Sequence, residues 1–210
     1  MKSKPKRAPR KPGRAFLKQL LSERNQYPVR VQKIDKLIRR TYERKVAMLV
    51  LDMVGFSRLT VEYGIIHYMA MIHQMDQAAR PSVTQNGGRV IKQEADNLYC
   101  IFPKPARALE AALDIFRAFD AVNSVVPPAR DIYGSIGIGY GETLIIGDRD
   151  MFGSEMNIAC KLGEDIAGKA EILLTPAAHA ALPAGSYRFD SNATSISGME
   201  VKYYRFAEKL

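Results

Sequence analysis

Residues 46–60 read VAMLVLDMVGFSRLT, and the fold is decided by how this stretch is read. VAMLVLDM (46–53) is a short, nearly continuous apolar run, the pattern of a strand buried on both faces. One carboxylate, Asp52, interrupts it just before Val54-Gly55-Phe56 and a change to helical spacing: Leu59, Tyr63, Ile66, Met69/Ala70, Ile72/His73. An unpaired carboxylate at the end of a buried strand is costly, so something cationic is expected beside it. The helix start just beyond, which Ser57 could cap, offers free backbone N–H groups, a place for phosphate. Gly55 would let the backbone approach a ligand closely.

Downstream, Asn86-Gly87-Gly88 is a turn signal. RVIKQ and NLYCIF then flank a tight connection at Glu94–Asn97, which reads as a hairpin. Asp96 in that connection can share a metal site with Asp52, since two carboxylates, phosphate oxygens and water are what Mg²⁺ prefers. Taken singly, each has a plainer reading: Asp52 caps the next helix and Asp96 is an ordinary turn residue.

Pro105 to Val122 is a helix with Ala108, Leu109, Ala112, Ile115, Phe116 and Phe119 on one side. Ile132–Tyr140 and Glu142–Ile146 read as a strand pair joined near Gly141; Ser154–Ile166 is helical and EILLT a strand. Late strands hold Tyr187–Asp190 and Tyr203–Phe206. The order β-α-β-β-α-β predicts an α+β fold, with a ferredoxin-like βαββαβ core and helices over one face of a mainly antiparallel sheet.

The net charge of +9 is unevenly spread. Residues 1–45 hold 16 Lys and Arg against Glu23, Asp35 and Glu43, while the 15 basic and 19 acidic residues of 46–210 leave the rest at −4. Residues 1–14 carry seven basic residues and three prolines with nothing to form a core. The organisation predicted is therefore a basic, largely disordered tail over 1–27, with a short turn of helix around Phe16–Leu21, an amphipathic helix within 28–45, and one globular domain over 46–210. In the helix, Ile34, Leu37, Ile38 and Tyr42 recur at helical spacing after Pro28. The tail suits an anionic membrane surface or nucleic acid, or only solubility. No apolar run reaches the roughly 18 residues of a spanning helix, and no secretory segment is evident. With only Cys100 and Cys160, a reducing cytoplasm is the expected home.

Three ordered segments resemble the class III adenylate and guanylate cyclase catalytic domain over most of 46–206: VLDMVGFSRLT, NGGRVIKQEADNLYCIF and SIGIGYGETLIIGDRDMFGSEMNIACKL. The resemblance implies two Mg²⁺ or Mn²⁺ ions per site, held by Asp52 and Asp96 with the backbone of Met53 and Val54. In this reading the ions activate the ribose 3′-hydroxyl and steady the triphosphate. Val54, Gly55 and Phe56 would cradle phosphate. Lys92 and Asp150 fall where the family reads the base. An ammonium suits N1 of adenine and a carboxylate its 6-amino group, so ATP is the expected substrate and cyclic AMP the product. Asn157 matches the residue that orients the ribose, and Lys161 the family's transition-state arginine, without its two-pronged donor. Ala95 stands where a glycine is usual, and Lys202 has no assured role. The family also implies a homodimer whose sites are shared between subunits.

Competing readings are a cyclase making another cyclic nucleotide (cyclic GMP, or cyclic UMP or CMP as in phage defence), against which Lys92 and Asp150 speak, and a weakly active or non-catalytic dimer, which Lys161 favours. A diguanylate cyclase is disfavoured, because Arg-Val and not acids follow Gly87-Gly88. His67, His73 and His179 read as packing or surface residues, the methionines as filler, and Gly137 and Gly139 as sites of close packing.

Overall fold

The computed structural model describes residues 12–147, 149–196 and 198–210. Two helices, α1 (Arg14–Gln26) and α2 (Val31–Tyr42), precede the first strand, β1 (Glu43–Met53). There follow α3 (Phe56–Tyr63), α4 (Ile65–Gln85), β2 (Arg89–Glu94), β3 (Asn97–Phe102) and α5 (Pro105–Asn123). Then come β4 (Gly134–Ile146), β5 (Asp150–Phe152), α6 (Ser154–Lys161), β6 (Ile172–Leu174), α7 (Pro176–Ala180), β7 (Tyr187–Ile196) and β8 (Met199–Lys209).

The sheet runs β2-β3-β1-β4-β6-β8-β7, with β5 paired to β4. Every pairing is antiparallel except β4 with β6. A parallel neighbour needs a crossover, and the segment through α6 supplies it. The expected α+β architecture with a mainly antiparallel sheet is the one observed.

Alternation along β1 sorts the core. Ala47, Leu49, Leu51 and Met53 face one side, where Met71, Met75, Ala79 and Val83 of α4 and Leu109, Ala112, Ile115 and Phe119 of α5 cover them. Met48 and Val50 face the other, with Tyr99, Ile101, Met156 and Ala159. Helices therefore lie on both faces, contrary to the one-sided arrangement expected. The glycines of β4 explain how α6 sits there. A Cβ on Gly137 would stand 2.0 Å from the Ala159 carbonyl oxygen, and one on Gly139 2.9 Å from that of Glu155. Helix backbone rests directly on strand backbone, and only hydrogen fits between.

Several boundaries differ from the sequence reading. β4 is one continuous strand, not a pair joined at Gly141, because it pairs residue for residue with β1 from Glu43↔Leu144 to Met53↔Gly134. Gly141 faces the Glu155 side chain and makes no turn. β1 starts at Glu43, so α2 ends at Tyr42 and not at Lys45. The helix after β1 breaks at Gly64 (φ 84°) into α3 and α4, and the cap position of α3 is Gly55, one residue before Phe56, so Ser57 lies inside the helix.

The segment read as a largely disordered tail to residue 27 holds a helix from Arg14 to Gln26. Leu17 and Leu20 pack with Ile34, Ile38 and Tyr42 of α2 and with Leu144 and Ile146 of β4, a small core of its own. Arg24 is also bonded to Asp35. Residues 1–11 of the basic tail lie outside the described residues. Among the described residues no helix is long and apolar enough to cross a membrane.

Candidate active site

Asp52 is the penultimate residue of β1 and points to the α6 face, by alternation with Met48 and Val50. Its carboxyl is pushed up to about 7, first by burial, then by the charges of Asp96, Glu164 and Asp165, against one hydrogen bond from the Met53 backbone. Asp96, in the β2–β3 turn, accepts a 2.6 Å hydrogen bond from the Tyr68 hydroxyl of α4. Ala95 beside it takes a left-handed φ of 49°, the conformation for which a glycine would be the relaxed choice. Among the described residues no Lys, Arg or His pairs with Asp52 or Asp96. The side-chain oxygen of Asn97, next along β3, is buried and has no hydrogen-bond partner.

That combination tests whether dications fit. Two coupled carboxylates and an orphaned neutral oxygen are all acceptors, and repulsion between the acids is what a cation would relieve. Among the described residues no group of three or more His, Cys, Asp or Glu could hold an ion by itself. A pair of carboxylates completed by substrate phosphates and water is the Mg²⁺ pattern, so the residues fit. Met53 can contribute only backbone, because its side chain is in the core. Val54 donates its N–H to the Tyr133 carbonyl at 2.9 Å, and its side chain is half-buried. Gly55 has φ 105°, a conformation that suits glycine, and leads into α3, whose first amides have no side-chain cap. The Phe56 side chain lies outside the described ones.

The second pair joins β2 to β5. Lys92 of β2 reaches Asp150 of β5 at 3.3 Å and Glu94 at 2.8 Å, with its ammonium 4.7 Å above the Tyr99 ring. Burial works against that charge, yet the bonds to Glu94 and Asp150 hold Lys92 above its ordinary pKa. Asp150 is 14% exposed; its Oδ1 accepts from the Met151 N–H at 3.0 Å and its Oδ2 from Arg14 at 2.6 Å. Two residues 58 apart in sequence are thus side by side.

Asn157 and Lys161 stand four apart on α6, both exposed. Lys161 donates to Asp165 at 2.7 Å, a bond that raises its pKa. Asp165 belongs to a π-helical turn (Leu162–Ile166) that continues α6. The same turn carries Glu164, which accepts from the Tyr99 hydroxyl at 3.1 Å and is itself shifted up by burial. Lys202 lies exposed on β8 opposite Ala193. His67 bonds the Ala129 carbonyl, His73 is exposed and His179 stacks on Tyr204 at 3.7 Å, so none joins the site.

Sequence reasoning missed Tyr68, Asn97, Glu164 and Arg14. Asn97 follows a candidate ligand directly and could have been flagged. Arg14 is 136 residues from Asp150, and no local pattern points to that contact.

No family model matches the sequence. A putative adenylate cyclase 3 of Rhizobium meliloti is 27% identical over 136 residues, covering 65% of this chain and 23% of that protein. The chain spans about a quarter to a third of the length of the curated relatives it matches. Among solved structures, an adenylate/guanylate cyclase/hydrolase from Silicibacter pomeroyi superposes with a TM-score of 0.65 at 24% identity, over 79% of this chain and 98% of that one. The guanylyl cyclase Cya2 gives 0.70 at 15% identity, over 80% and 93%. The chain has the fold of the class III adenylate and guanylate cyclase catalytic domains, and resembles members of that family in sequence over about two thirds of its length.

Proposed function

We propose that this domain is a nucleotidyl cyclase that converts ATP to 3′,5′-cyclic AMP and pyrophosphate. The observation that carries the reading is that the chain holds both halves of such a site: an Asp52–Asp96 pair with no cationic partner among the described residues, and a Lys92–Asp150 pair at 3.3 Å. Asp52 and Asp96, with the Met53 backbone, would hold two Mg²⁺ or Mn²⁺ ions, which supply Lewis acidity and charge neutralisation when bound. From the end of β1 and the β2–β3 turn, Asp52 and Asp96 would set where the triphosphate binds, and the start of α3 at Gly55 offers amides to its oxygens. Lys92 donates to N1 of adenine while Asp150 accepts from the 6-amino group. Asn157 orients the ribose, so that the 3′-oxygen forms its bond to the α-phosphorus as the bond to the β-phosphate oxygen breaks. The hydroxyl proton leaves to solvent, and pyrophosphate carries the electron pair away. Lys161 meets the charge growing on the α-phosphate, for which it must leave Asp165. That bond is solvent-exposed and readily exchanged for water, so it holds the ammonium only loosely.

A homodimer fits the exposed placement of Asn157 and Lys161, which a partner's nucleotide can reach. Val61, Ile66 and Met69 are also exposed on α3 and the first turns of α4, where Tyr68 bonds Asp96.

The base-edge chemistry needs one correction to the sequence reading. Guanine and uracil present a donor where Lys92 offers another donor, and a carbonyl where Asp150 needs an N–H, so both are disfavoured. Cytosine, however, presents the same acceptor and amine as adenine, and Lys92 with Asp150 alone does not separate the two. The test is incubation with Mn²⁺ and each of ATP, GTP, CTP and UTP, with products identified by mass. Cyclic AMP as the main product supports the proposal; another cyclic nucleotide dominating overturns the ATP assignment. No product from any of the four at high protein concentration favours the non-catalytic dimer, for which lysine in place of the family's arginine at position 161 speaks.

A further inference from the structure

Asp150 is held from two sides. Lys92 approaches Oδ1 at 3.3 Å, where the Met151 N–H also donates, and the Arg14 guanidinium donates to Oδ2 at 2.6 Å, which leaves Oδ2 a lone pair for a base amine. The edge offered to a base is therefore donor, acceptor, donor. Arg14 does not arrive there on a loose strand. It is the first residue of α1, which Leu17 and Leu20 pin against α2 and β4. The turn before it is fixed as well: the Gly13 carbonyl accepts from the Tyr42 hydroxyl at 3.2 Å, and Gly13 packs on Gly147, where an added Cβ would stand 3.4 Å from the Gly13 Cα. The guanidinium is 66% exposed, and among the described residues Asp150 is the acid it bonds, which leaves N–H donors for a ligand.

Adenine presents the complementary order along one edge: N1 accepts, the 6-amino group donates and N7 accepts. Cytosine matches the first two positions and has a carbon-bound hydrogen at the third. We infer that Arg14 is a third base-reading residue, donating to N7 while it remains bonded to Asp150, and that this contact separates adenine from cytosine. The inference rests on the assignment of Lys92 and Asp150 to the base. Guanine gains nothing decisive, since its N7 also accepts but its N1–H and carbonyl oppose Lys92 and Asp150.

An atom-level substitution tests this: 7-deaza-ATP lacks N7 and keeps the rest of the base edge. Displacement of a fluorescent ATP derivative from the 210-residue chain, with KM where turnover is measurable, is compared for ATP, 7-deaza-ATP and CTP. Wild type should bind 7-deaza-ATP about three- to tenfold more weakly than ATP, the range for one partly exposed charge-assisted hydrogen bond. Arg14→Ala should lose about the same factor for ATP, should no longer distinguish the two, and should bind CTP as wild type does. A melting curve matching wild type confirms that the exposed substitution leaves the fold intact. A wild type blind to N7 overturns the inference. So does an Arg14→Ala protein that binds ATP more tightly, for then the guanidinium covers Asp150 and competes with the base. Asp150→Ala separates the two levels. If it leaves nucleotide preference unchanged, the base-reading assignment itself fails; if it abolishes preference while wild type ignores N7, only the role of Arg14 fails.

Discussion

Asp52 is the residue on which the proposed chemistry turns. Its folded pKa of about 7 lies well above the ordinary carboxylate value of 3.8, because burial and three neighbouring acids oppose its charge. The folded state therefore holds a proton that the unfolded chain has released, and metal-free stability should fall as pH rises from about 4 through 7. Asp52→Asn should flatten that slope in denaturant titrations at fixed pH, and Mn²⁺ should raise the melting temperature of wild type but not of the variant. Mn²⁺ must displace the same proton, so its affinity for wild type should climb as pH passes through 7. At Lys161 the expected order of turnover is Arg above Lys above Ala. Lys161→Arg restores the planar fork, and Lys161→Ala should cost about 10²-fold in kcat if it removes an oxyanion-stabilising donor. A flat response to both substitutions would argue that position 161 takes no part.

At the scale of elements, the seating of α6 on β4 decides where Asn157 and Lys161 stand. Gly137→Ala would drive a methyl to 2.0 Å from the Ala159 carbonyl oxygen, so α6 must lift. Roughly 1–3 kcal/mol of stability should be lost in urea unfolding, as in other overpacked cores. Gly139→Ala meets its nearest backbone atom at 2.9 Å and should cost less. These glycines also show what the sequence could and could not tell. The apolar run broken by Asp52, the Glu94–Asn97 turn and the face of α5 were all legible, since each is written in local periodicity or turn chemistry. Gly141 was misread as a turn. Glycines at every second position of a strand mark a face with no room for Cβ, and only the pairing partner, β1, reveals that the strand continues. The side of the sheet on which α6 lies, and the docking of α1, depend on contacts far apart in sequence. Tyr68 with Asp96, Tyr99 with Glu164 and Arg14 with Asp150 are such contacts, and no short window contains them.

For the whole molecule, the proposal is a two-fold dimer in which metal-binding and base-reading residues of one site come from different chains. Asp52→Ala and Lys92→Ala proteins should each be inactive alone. Mixed under conditions where dimers exchange, they should recover up to about a quarter of wild-type activity, because random pairing restores one intact site in half of the dimers. No recovery despite demonstrated exchange would place each site within one chain. The strand order and the crossover through α6 were only partly legible in advance, for topology is a property of the assembled sheet and not of any one segment.

The central claim is that Asp52 and Asp96 grip dications around a polyphosphate. Its most direct test is a crystal structure of the protein with Mn²⁺ and a non-hydrolysable ATP analogue, read through the anomalous signal of manganese. Two manganese peaks in contact with both carboxylates and with the phosphate oxygens are predicted. A nucleotide bound with no manganese between Asp52 and Asp96, or with the ions held elsewhere, would contradict the account.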